Sequence, residues 1–384
     1  MDKRDTQRAM QNNGSPNNIT IKDIARKAGV SPSTVSMVIN GRPGIGRVTK
    51  QRVLDIIEAF GYTPNLVARS LVKRRSHAIA LLIESTQHPI FPEIAAGVDD
   101  VLKEQDYSLS IISTHDDSLL ESREIEKIKA RGIDGILTSA ALVDNDNLVR
   151  LVRSGYPVVA VLRRVYRCDD LDYIVVDNQR GGFLALEHLI RMGHRRIGII
   201  KGPANNSTAI ERFQGAIKAF KAYGISVSQD LLHEGDYLQK TGYLVTKQMF
   251  RDKRADLPTA IFASNDEMAL GAFEAVWEMG KRIPEDVALV GFNNVEITSF
   301  CSIQITTVSQ RPYEMGRLGA KRLIGKIERK RGYRKPYQAI LEPELIVRRS
   351  CGYAISSGYR LEGRTSSRRD FASDEMDRPA DGAR

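Results

Sequence analysis

Two short amphipathic segments joined by a glycine turn limit what the first part of this chain can fold into. The first segment begins at Thr20 and has apolar residues at the i, i+3, i+4 and i+7 positions of one helical face: Ile21, Ile24, Ala25 and Ala28. Gly29 then allows the positive φ of a tight turn. Ser31 and Pro32 provide an N-cap and a first-turn proline for a second helix over 32–39. The pattern predicts a helix-turn-helix unit.

A third amphipathic segment follows a loop rich in Gly and Pro at 41–46. It starts near Thr49, and its apolar side chains have the same helical spacing: Val53, Ile56, Ile57 and Phe60. Because three short helices can bury one small core, we expect a three-helix domain over residues 19–64. Residues 1–18 have almost no large apolar side chain, and we expect them to form a flexible arm.

Positive charge is concentrated in the first fifth of the chain. The whole chain has 57 Lys and Arg against 47 Asp and Glu, a formal net charge of +10, while residues 1–75 have 14 basic and five acidic residues. This asymmetry indicates a small polyanion-binding domain joined to a nearly neutral body. A solvated basic face would give the same asymmetry, so the residue pattern has to separate the two interpretations.

Composition removes several protein classes from consideration. A mean hydropathy of −0.30, with no apolar run near the ~20 residues of a membrane span, excludes a membrane-spanning chain. The N-terminus lacks the apolar core of a secretory signal, so we expect a cytoplasmic, nucleoid-associated protein without a membrane partner. Three cysteines without CxxC spacing and six histidines without HxxxH or HExxH order predict no disulfide framework, no metal and no cofactor.

From Ser76 onward, short apolar runs alternate with amphipathic segments, the pattern of a doubly wound parallel α/β architecture. We predict strands at Ala78–Glu84, Ser108–Thr114, Gly135–Ala140, Pro157–Leu162, Tyr173–Asp177, Arg196–Lys201, Ala260–Ser264, Val287–Phe292 and Ile305–Val308. The predicted helices between them include 91–105, 179–192, 209–223, 266–279 and 312–329. This length exceeds one small sheet, so we expect two lobes with a cleft over residues 76–347. Residues 348–384 lack heptad leucines and are predicted to form a disordered tail.

The stretches TIKDIARKAGVSPSTVSMVIN (20–40) and GYTPNLVARSL (61–71) closely resemble the DNA-binding headpiece of the lactose-repressor (LacI/GalR) family. Many positions match at fixed spacing, which a chance helix-turn-helix would not give. The resemblance implies base contacts in the major groove from Pro32, Ser33 and Met37. It implies phosphate contacts from Thr34, Ser36, Asn40 and Thr49. It also places Asn65, Ala68 and Leu71 in a hinge helix within a linker at 65–75.

Two of these positions suggest specific hypotheses. Leu71 matches the hinge leucine that wedges between base pairs in the minor groove, and the alternative is a linker residue that packs on its own domain. We favour the wedge because Arg69 and the run at 73–75 provide phosphate-binding charge on both sides. Met37 stands where many family members have arginine or histidine. Methionine cannot donate paired hydrogen bonds to guanine, so we expect apolar or weak readout at that base.

The second domain also resembles this family, whose regulatory domain is similar to periplasmic sugar-binding proteins. The matching pieces are HPIF (88–91), VDN (176–178), GHRRI (193–197), ERFQG (211–215), SNDEMA (264–269), GFNN (291–294) and QRP (310–312). Ligands of open α/β lobes bind beyond the carboxyl ends of the strands. By correspondence with the family, seven ligand-binding residues fall there: Phe91, Arg163, Thr208, Arg212, Tyr237, Asn265 and Asn293.

The types of these residues suggest the chemistry of the ligand. Arg163 and Asn293 stand where sugar-binding relatives often have aspartates, and Arg212 adds a second guanidinium. We therefore expect an anionic effector, such as a sugar acid, a sugar phosphate or a small carboxylate. Alternatively, Arg163 points to solvent or to a partner subunit. Phe91 and Tyr237 either stack on a ring of the ligand or belong to the core of a lobe.

Three functions fit a basic headpiece joined to an α/β body: a ligand-responsive transcription regulator, a transport-type solute receptor, and an α/β enzyme fused to a DNA-binding module. The headpiece and the missing secretory signal disfavour the receptor. The chain has no GxSxG, no GxxxxGK[ST] and no GxGxxG after a strand, which disfavours the enzyme. The resemblance implies a repressor that binds a pseudopalindromic DNA operator as a homodimer and responds to a small-molecule effector.

Overall fold

The computed structural model describes residues 19–62, 75–251, 257–300, 302–330, 332–333 and 335–352. The chain divides into two compact units. The smaller unit holds the N-terminal helices together with the segment up to Ala78 and Gly132–Asp134, and the larger unit holds the rest. The expected arm at 1–18, nearly all of the linker at 65–75 and the tail after residue 352 lie outside the described residues.

Three helices form the smaller unit: α1 (Ile21–Ala28), α2 (Pro32–Ile39) and α3 (Arg47–Ala59). The backbone N–H of Thr20 donates to the Asp23 carboxylate at 3.1 Å, and α1 ends at Gly29 with a φ of 62°. The N–H of Thr34 donates to Oγ of Ser31 at 3.1 Å, which caps α2. The buried core consists of Ile24, Ala25, Ala28, Val35, Val38 and Val53. The predicted helix-turn-helix is confirmed, and α3 starts two residues before the expected Thr49.

The larger unit contains twelve strands and eight helices among its described residues. The strands are β1 (Ala78–Ile83), β2 (Ser108–Ser113), β3 (Gly135–Thr138), β4 (Val158–Val161), β5 (Asp172–Val176), β6 (Ile197–Ile200), β7 (Leu232–His233), β8 (Ala260–Ala263), β9 (Ala288–Asn293), β10 (Thr306–Ser309), β11 (Gln338–Leu341) and β12 (Glu344–Ile346). The helices are α4 (Ile90–Glu104), α5 (Ser118–Ala130), α6 (Asp146–Arg153), α7 (Asn178–Arg191), α8 (Ser207–Ala222), α9 (Gln239–Met249), α10 (Asp266–Glu278) and α11 (Pro312–Ile327).

The strands form two sheets, which define two lobes. Lobe 1 has the strand order β11-β5-β4-β3-β1-β2, and lobe 2 has the order β12-β10-β9-β8-β6-β7. Strand pairing is parallel between neighbours such as β1 and β3 or β8 and β9, while β12 runs antiparallel to β10. The chain passes between the lobes after β5, after β10 and between β11 and β12. The predicted two-lobed, mainly parallel α/β architecture is confirmed.

Close helix packing fixes the position of α8 against α7. A Cβ atom on Gly182 of α7 would lie 2.0 Å from the backbone oxygen of Arg212 on α8, so only glycine fits at this contact. The same helix pair repeats the arrangement at Gly215, where a Cβ would lie 2.0 Å from the Gln179 oxygen. These two contacts set the backbone from which the Arg212 side chain projects.

The strands β7, β11 and β12 were not predicted, and the predicted end of the domain at residue 347 is too early. All three strands are short and lie at or next to the edge of a sheet, where they lack a fully apolar sequence. The predicted tail at 348–384 is wrong for its first residues. Ser350 and Cys351 are buried in a 3₁₀ helix (Arg349–Cys351), and Oγ of Ser350 donates to the Leu289 oxygen of β9 at 2.6 Å. Single hydrogen bonds of this kind leave no periodic signal in a polar sequence.

Candidate functional site

The outward face of α2 carries the residues that were predicted to contact DNA. Pro32, Ser33 and Asn40 are exposed, while Thr34, Ser36 and Met37 are half-buried. The terminal methyl group of Met37 lies beside Gly44 of the following loop. Thr49 is half-buried in the first turn of α3. Asn65, Ala68 and Leu71 lie outside the described residues.

Polar side chains on this face are linked by short-range hydrogen bonds. Oγ of Ser31 lies 2.6 Å from Oγ of Ser33 and 2.9 Å from Oγ1 of Thr34. Nδ2 of Asn40 donates to the backbone oxygen of Ser36 at 2.7 Å. Hydroxyl and amide groups held in this way on one side of a helix can bind phosphate oxygens without a large rearrangement. The three-helix unit also has exposed basic residues: Lys22, Arg26, Lys27, Arg42, Arg47, Lys50 and Arg52.

The seven predicted ligand-binding residues line one pocket of the larger unit. This pocket has about 270 Å³ of empty space including its mouth, and eleven residues line it: His88, Ile90, Phe91, Leu162, Arg163, Thr208, Arg212, Tyr237, Asn265, Asn293 and Gln310. Each residue follows or ends a strand at its carboxyl edge, or lies in the loop or helix after it. The pocket therefore lies where parallel α/β sheets hold their ligands.

The backbone at the rim of the pocket is strained. Three pocket residues other than glycine have positive φ: Leu162 at 72°, Tyr237 at 71° and Asn293 at 121°. Side chains with a Cβ rarely adopt this region, and such strain persists only where the surrounding structure holds it. Leu162 directly follows β4, Tyr237 lies in the loop after β7, and Asn293 is the last residue of β9.

Arg212 is buried at the base of the pocket, with only 2% of its surface exposed. Its Nε donates to Oδ1 of Asn178 at 2.9 Å, and its Nη1 donates to the backbone carbonyl oxygen of Ser264 at 2.6 Å. Its guanidinium lies 3.7 Å from the centroid of the Phe292 ring. Burial lowers the pKa of Arg212 to about 10, so the side chain stays charged at neutral pH. Among the described residues, no carboxylate forms an ion pair with it.

Arg163 is equally buried but has its charge balanced. Its Nη1 donates to both oxygens of Asp116 at 2.8 Å, and its Nη2 donates to Oε2 of Glu84. Burial alone would lower the pKa of Arg163, but the two carboxylates raise it above its ordinary value. The guanidinium of Arg163 is buried and paired with two carboxylates. The alternative prediction, that this side chain points to solvent, is therefore wrong. The two arginines of the pocket therefore differ: two carboxylates neutralise Arg163, whereas no carboxylate of the described residues forms an ion pair with Arg212.

Aromatic and amide groups complete the pocket. Oγ1 of Thr208 donates to Oδ1 of Asn206 at 2.8 Å and accepts from the Tyr237 hydroxyl, also at 2.8 Å. Phe91 and Tyr237 are buried, and each belongs to a hydrophobic core while also lining the pocket. Stacking of either ring on a ligand stays a prediction.

Three amide side chains line the pocket: Asn265, Asn293 and Gln310. Nδ2 of Asn265 donates to the backbone carbonyl oxygen of Tyr237 at 2.8 Å. Oδ1 of Asn265 caps α10 by accepting from the backbone N–H of Met268 at 3.0 Å. Nε2 of Gln310 donates to Oδ1 of Asn293 at 2.5 Å. Arg212 also donates to these two amide side chains, from Nη1 to Oδ1 of Asn293 and from Nη2 to Oε1 of Gln310. The amides thus orient the guanidinium toward the cavity.

Sequence reasoning missed several members of the site. His88, Ile90, Leu162 and Gln310 line the pocket, while Glu84 and Asp116 pair with Arg163. His88 and Gln310 belong to the HPIF and QRP pieces, whose position after a strand could have identified them. The roles of Glu84 and Asp116 leave no such signal, because they meet Arg163 from distant parts of the chain.

No group of three or more His, Cys, Asp or Glu side chains among the described residues is arranged to hold a metal ion. No helix within the described ranges is long and apolar enough to cross a membrane.

Both units match known families. Residues 20–65 match the family of bacterial regulatory proteins of the LacI type, and residues 76–339 match the periplasmic binding proteins and sugar-binding domain of the LacI family. The HTH-type transcriptional repressor PurR of Mannheimia succiniciproducens is 33% identical over 331 residues, 86% of this chain and 98% of that protein.

Solved structures agree with this assignment. The transcriptional regulator CelR in complex with cellobiose has a TM-score of 0.67 and 29% identity, covering 87% of this chain and 100% of the other. The lac repressor dimer bound to operator and the anti-inducer ONPF has a TM-score of 0.78 and 25% identity, covering 87% and 99%. The chain therefore belongs to the LacI family of bacterial regulatory proteins and is a DNA-binding transcriptional repressor rather than an enzyme.

Proposed function

We propose that this protein is a homodimeric repressor whose operator affinity is controlled by a small anionic effector bound at Arg212. The observation that carries the effector class is the buried guanidinium of Arg212, which faces the pocket without a carboxylate partner among the described residues. An effector carboxylate or phosphate would complete its charge and hydrogen bonding in a site of low dielectric. Arg163 contributes less than the sequence suggested, because Asp116 and Glu84 already balance its charge.

On DNA, the proposal assigns distinct contacts to distinct residues. Pro32, Ser33 and Met37 read base edges in the major groove, while the hydroxyl and amide groups of Thr34, Ser36, Asn40 and Thr49 bind phosphates. A pseudopalindromic operator needs two such headpieces, so the protein acts as a homodimer, like the lac repressor in its operator complex. Asn65, Ala68 and Leu71 belong to the proposed hinge. We propose that it acts in the cytoplasm, at the nucleoid.

The effector acts through the two lobes. Because pocket residues come from both lobes, a ligand that contacts both favours one arrangement of the cleft over another. The lobe arrangement in turn sets the spacing of the two headpieces on the operator. A coupling free energy of about 1–3 kcal/mol between effector and DNA is typical of such linkage and would change operator affinity by about 5- to 150-fold.

The test is selection of binding sites from a random duplex pool by purified protein, with and without a panel of sugars, sugar acids and sugar phosphates. We expect an enriched palindrome whose recovery changes with an anionic compound. If only uncharged sugars change recovery or raise the melting temperature, the proposed anionic class of effector is wrong. If no sequence is enriched, the DNA-binding assignment of the headpiece fails.

A further inference from the structure

We propose that His88 of lobe 1 and Glu267 of lobe 2 form a proton-dependent clasp, so that closure of the effector cleft responds to pH. This inference rests on the proposed function in one respect, that the cleft opens and closes around an effector. It adds a regulatory role for His88, which lines the pocket, and for Glu267, which does not.

The two side chains meet across the cleft. His88 lies just before α4 in lobe 1, and Glu267 lies in the first turn of α10 in lobe 2. Nδ1 of His88 is 3.3 Å from Oε1 of Glu267, and the side chains are only 13% and 14% exposed. Neither atom has a hydrogen-bond partner of good geometry within the described part of the chain. The other carboxyl oxygen of Glu267, Oε2, accepts from Nδ2 of Asn265 at 2.8 Å, which leaves Oε1 facing His88. Separation of the lobes would expose both groups to water.

The charged surroundings oppose an ion pair at this place. His88 faces the guanidiniums of Arg163 and Arg212, and Glu267 faces the carboxylates of Asp266 and Glu84 as well as Arg212. Burial is the larger cause and the charge of the two arginines the smaller one, and together they lower the pKa of His88 to about 3. Burial, reinforced by Asp266 and Glu84, raises the pKa of Glu267 to about 8. The closed pair is neutral at physiological pH, with the carboxylic acid able to donate its proton to the imidazole nitrogen.

Closure therefore redistributes protons in a way that depends on pH. In an open, solvated cleft the two groups would titrate near their ordinary values of 6.5 for His88 and 4.5 for Glu267. Between pH 4.5 and 6.5, closure moves one proton from His88 to Glu267 with no net uptake from solvent. Between pH 6.5 and 8, closure must take up one proton, so it becomes about tenfold less favourable for each pH unit. Below pH 4.5 closure releases a proton and again becomes less favourable.

A distance measurement between the lobes tests this clasp without effector or DNA. Donor and acceptor dyes are attached to ketone-bearing amino acids at the exposed positions Lys129 of lobe 1 and Lys221 of lobe 2. Single-molecule energy transfer in the full-length protein then gives the ratio of closed to open molecules from pH 4 to 9. We expect this ratio to be highest between pH 4.5 and 6.5 and to fall about tenfold per unit between 6.5 and 8.

Variants show which residue causes the acid fall and which causes the alkaline fall of the closed-to-open ratio. Glu267→Gln should abolish the alkaline fall, and His88→Asn should abolish the acid fall. Glu274→Gln, an exposed change two turns along the same helix, is the matched control and should keep both. A flat wild-type profile, or an alkaline fall that survives in Glu267→Gln, overturns the clasp. Because no effector is used, that result would leave the proposed function intact, whereas an effector screen without hits would not affect the clasp.

Discussion

Nη1 of Arg163 lies 2.8 Å from both carboxylate oxygens of Asp116, and this contact decides how the charge of the effector pocket is distributed. With Glu84 on Nη2, a single buried guanidinium faces two carboxylates. The cluster is held together by its own charges, and of its three residues only Arg163 lines the pocket. Arg212, whose hydrogen-bond partners are all neutral groups, is left as the group that distinguishes an anion from an uncharged sugar.

Replacement of Arg163 by methionine should destabilise the protein by about 3 kcal/mol, because it leaves Asp116 and Glu84 partly buried beside each other without a cation. The measurement is urea unfolding at several pH values. Burial already raises the pKa of Glu84, and loss of Arg163 removes the charge that opposes this rise, so folding of the variant would gain from protonation of this carboxyl. The stability deficit should therefore shrink as the pH falls from 8 to 5.

Two further variants separate charge from packing at this cluster. Adding Asp116→Asn to Arg163→Met should recover part of the lost stability, since one of the two unpaired charges is removed. Arg282→Met breaks an exposed pair with Asp286 and should have no measurable effect. A deficit that is unchanged by Asp116→Asn and by pH would show that lost packing, rather than unpaired charge, dominates.

Replacement of Arg212 by lysine should weaken binding of an anionic effector by about 10- to 100-fold, because lysine keeps the charge but not the planar fork. Titration calorimetry with the anionic compound from the screen measures this loss. Operator affinity without effector should stay near the wild-type value. Arg180→Lys, at an exposed position of α7, is the control. Equal effector affinity in Arg212→Lys and wild type would remove the guanidinium from effector recognition.

Much of the fold and the pocket could be predicted because strong local signals coincide with global structure. The buried parallel strands, such as Ala78–Ile83, have continuous apolar sequences, and the glycine at 29 marks the turn of the headpiece. The seven pocket residues follow strand ends, so a list of strands with the family resemblance is sufficient to find them. By contrast, the pairing of Arg163 with Asp116 joins residues 47 positions apart, and no periodicity encodes it.

Replacement of Leu71 by alanine should weaken operator binding far more than binding to nonspecific DNA. In the proposed hinge, Leu71 offsets the cost of unstacking a base step, and nonspecific complexes need no such kink. Binding to a selected operator and to a scrambled duplex is compared at one salt concentration. Lys73→Gln is the contrasting variant, because loss of a phosphate contact should weaken both complexes alike. Equal losses on both duplexes in Leu71→Ala would exclude the wedge.

Met37 should make the operator half-site tolerant at one base. Its side chain is half-buried beside Gly44 and has no hydrogen-bond donor, so it cannot select guanine through paired hydrogen bonds. Sites selected by the wild-type protein should therefore lack an invariant guanine at the base facing this residue. Sites selected by Met37→Arg should acquire one, with a discrimination of about 1–3 kcal/mol against other bases. An invariant guanine already present with the wild type would show that a neighbouring side chain, such as Ser33 or Asn40, reads that base.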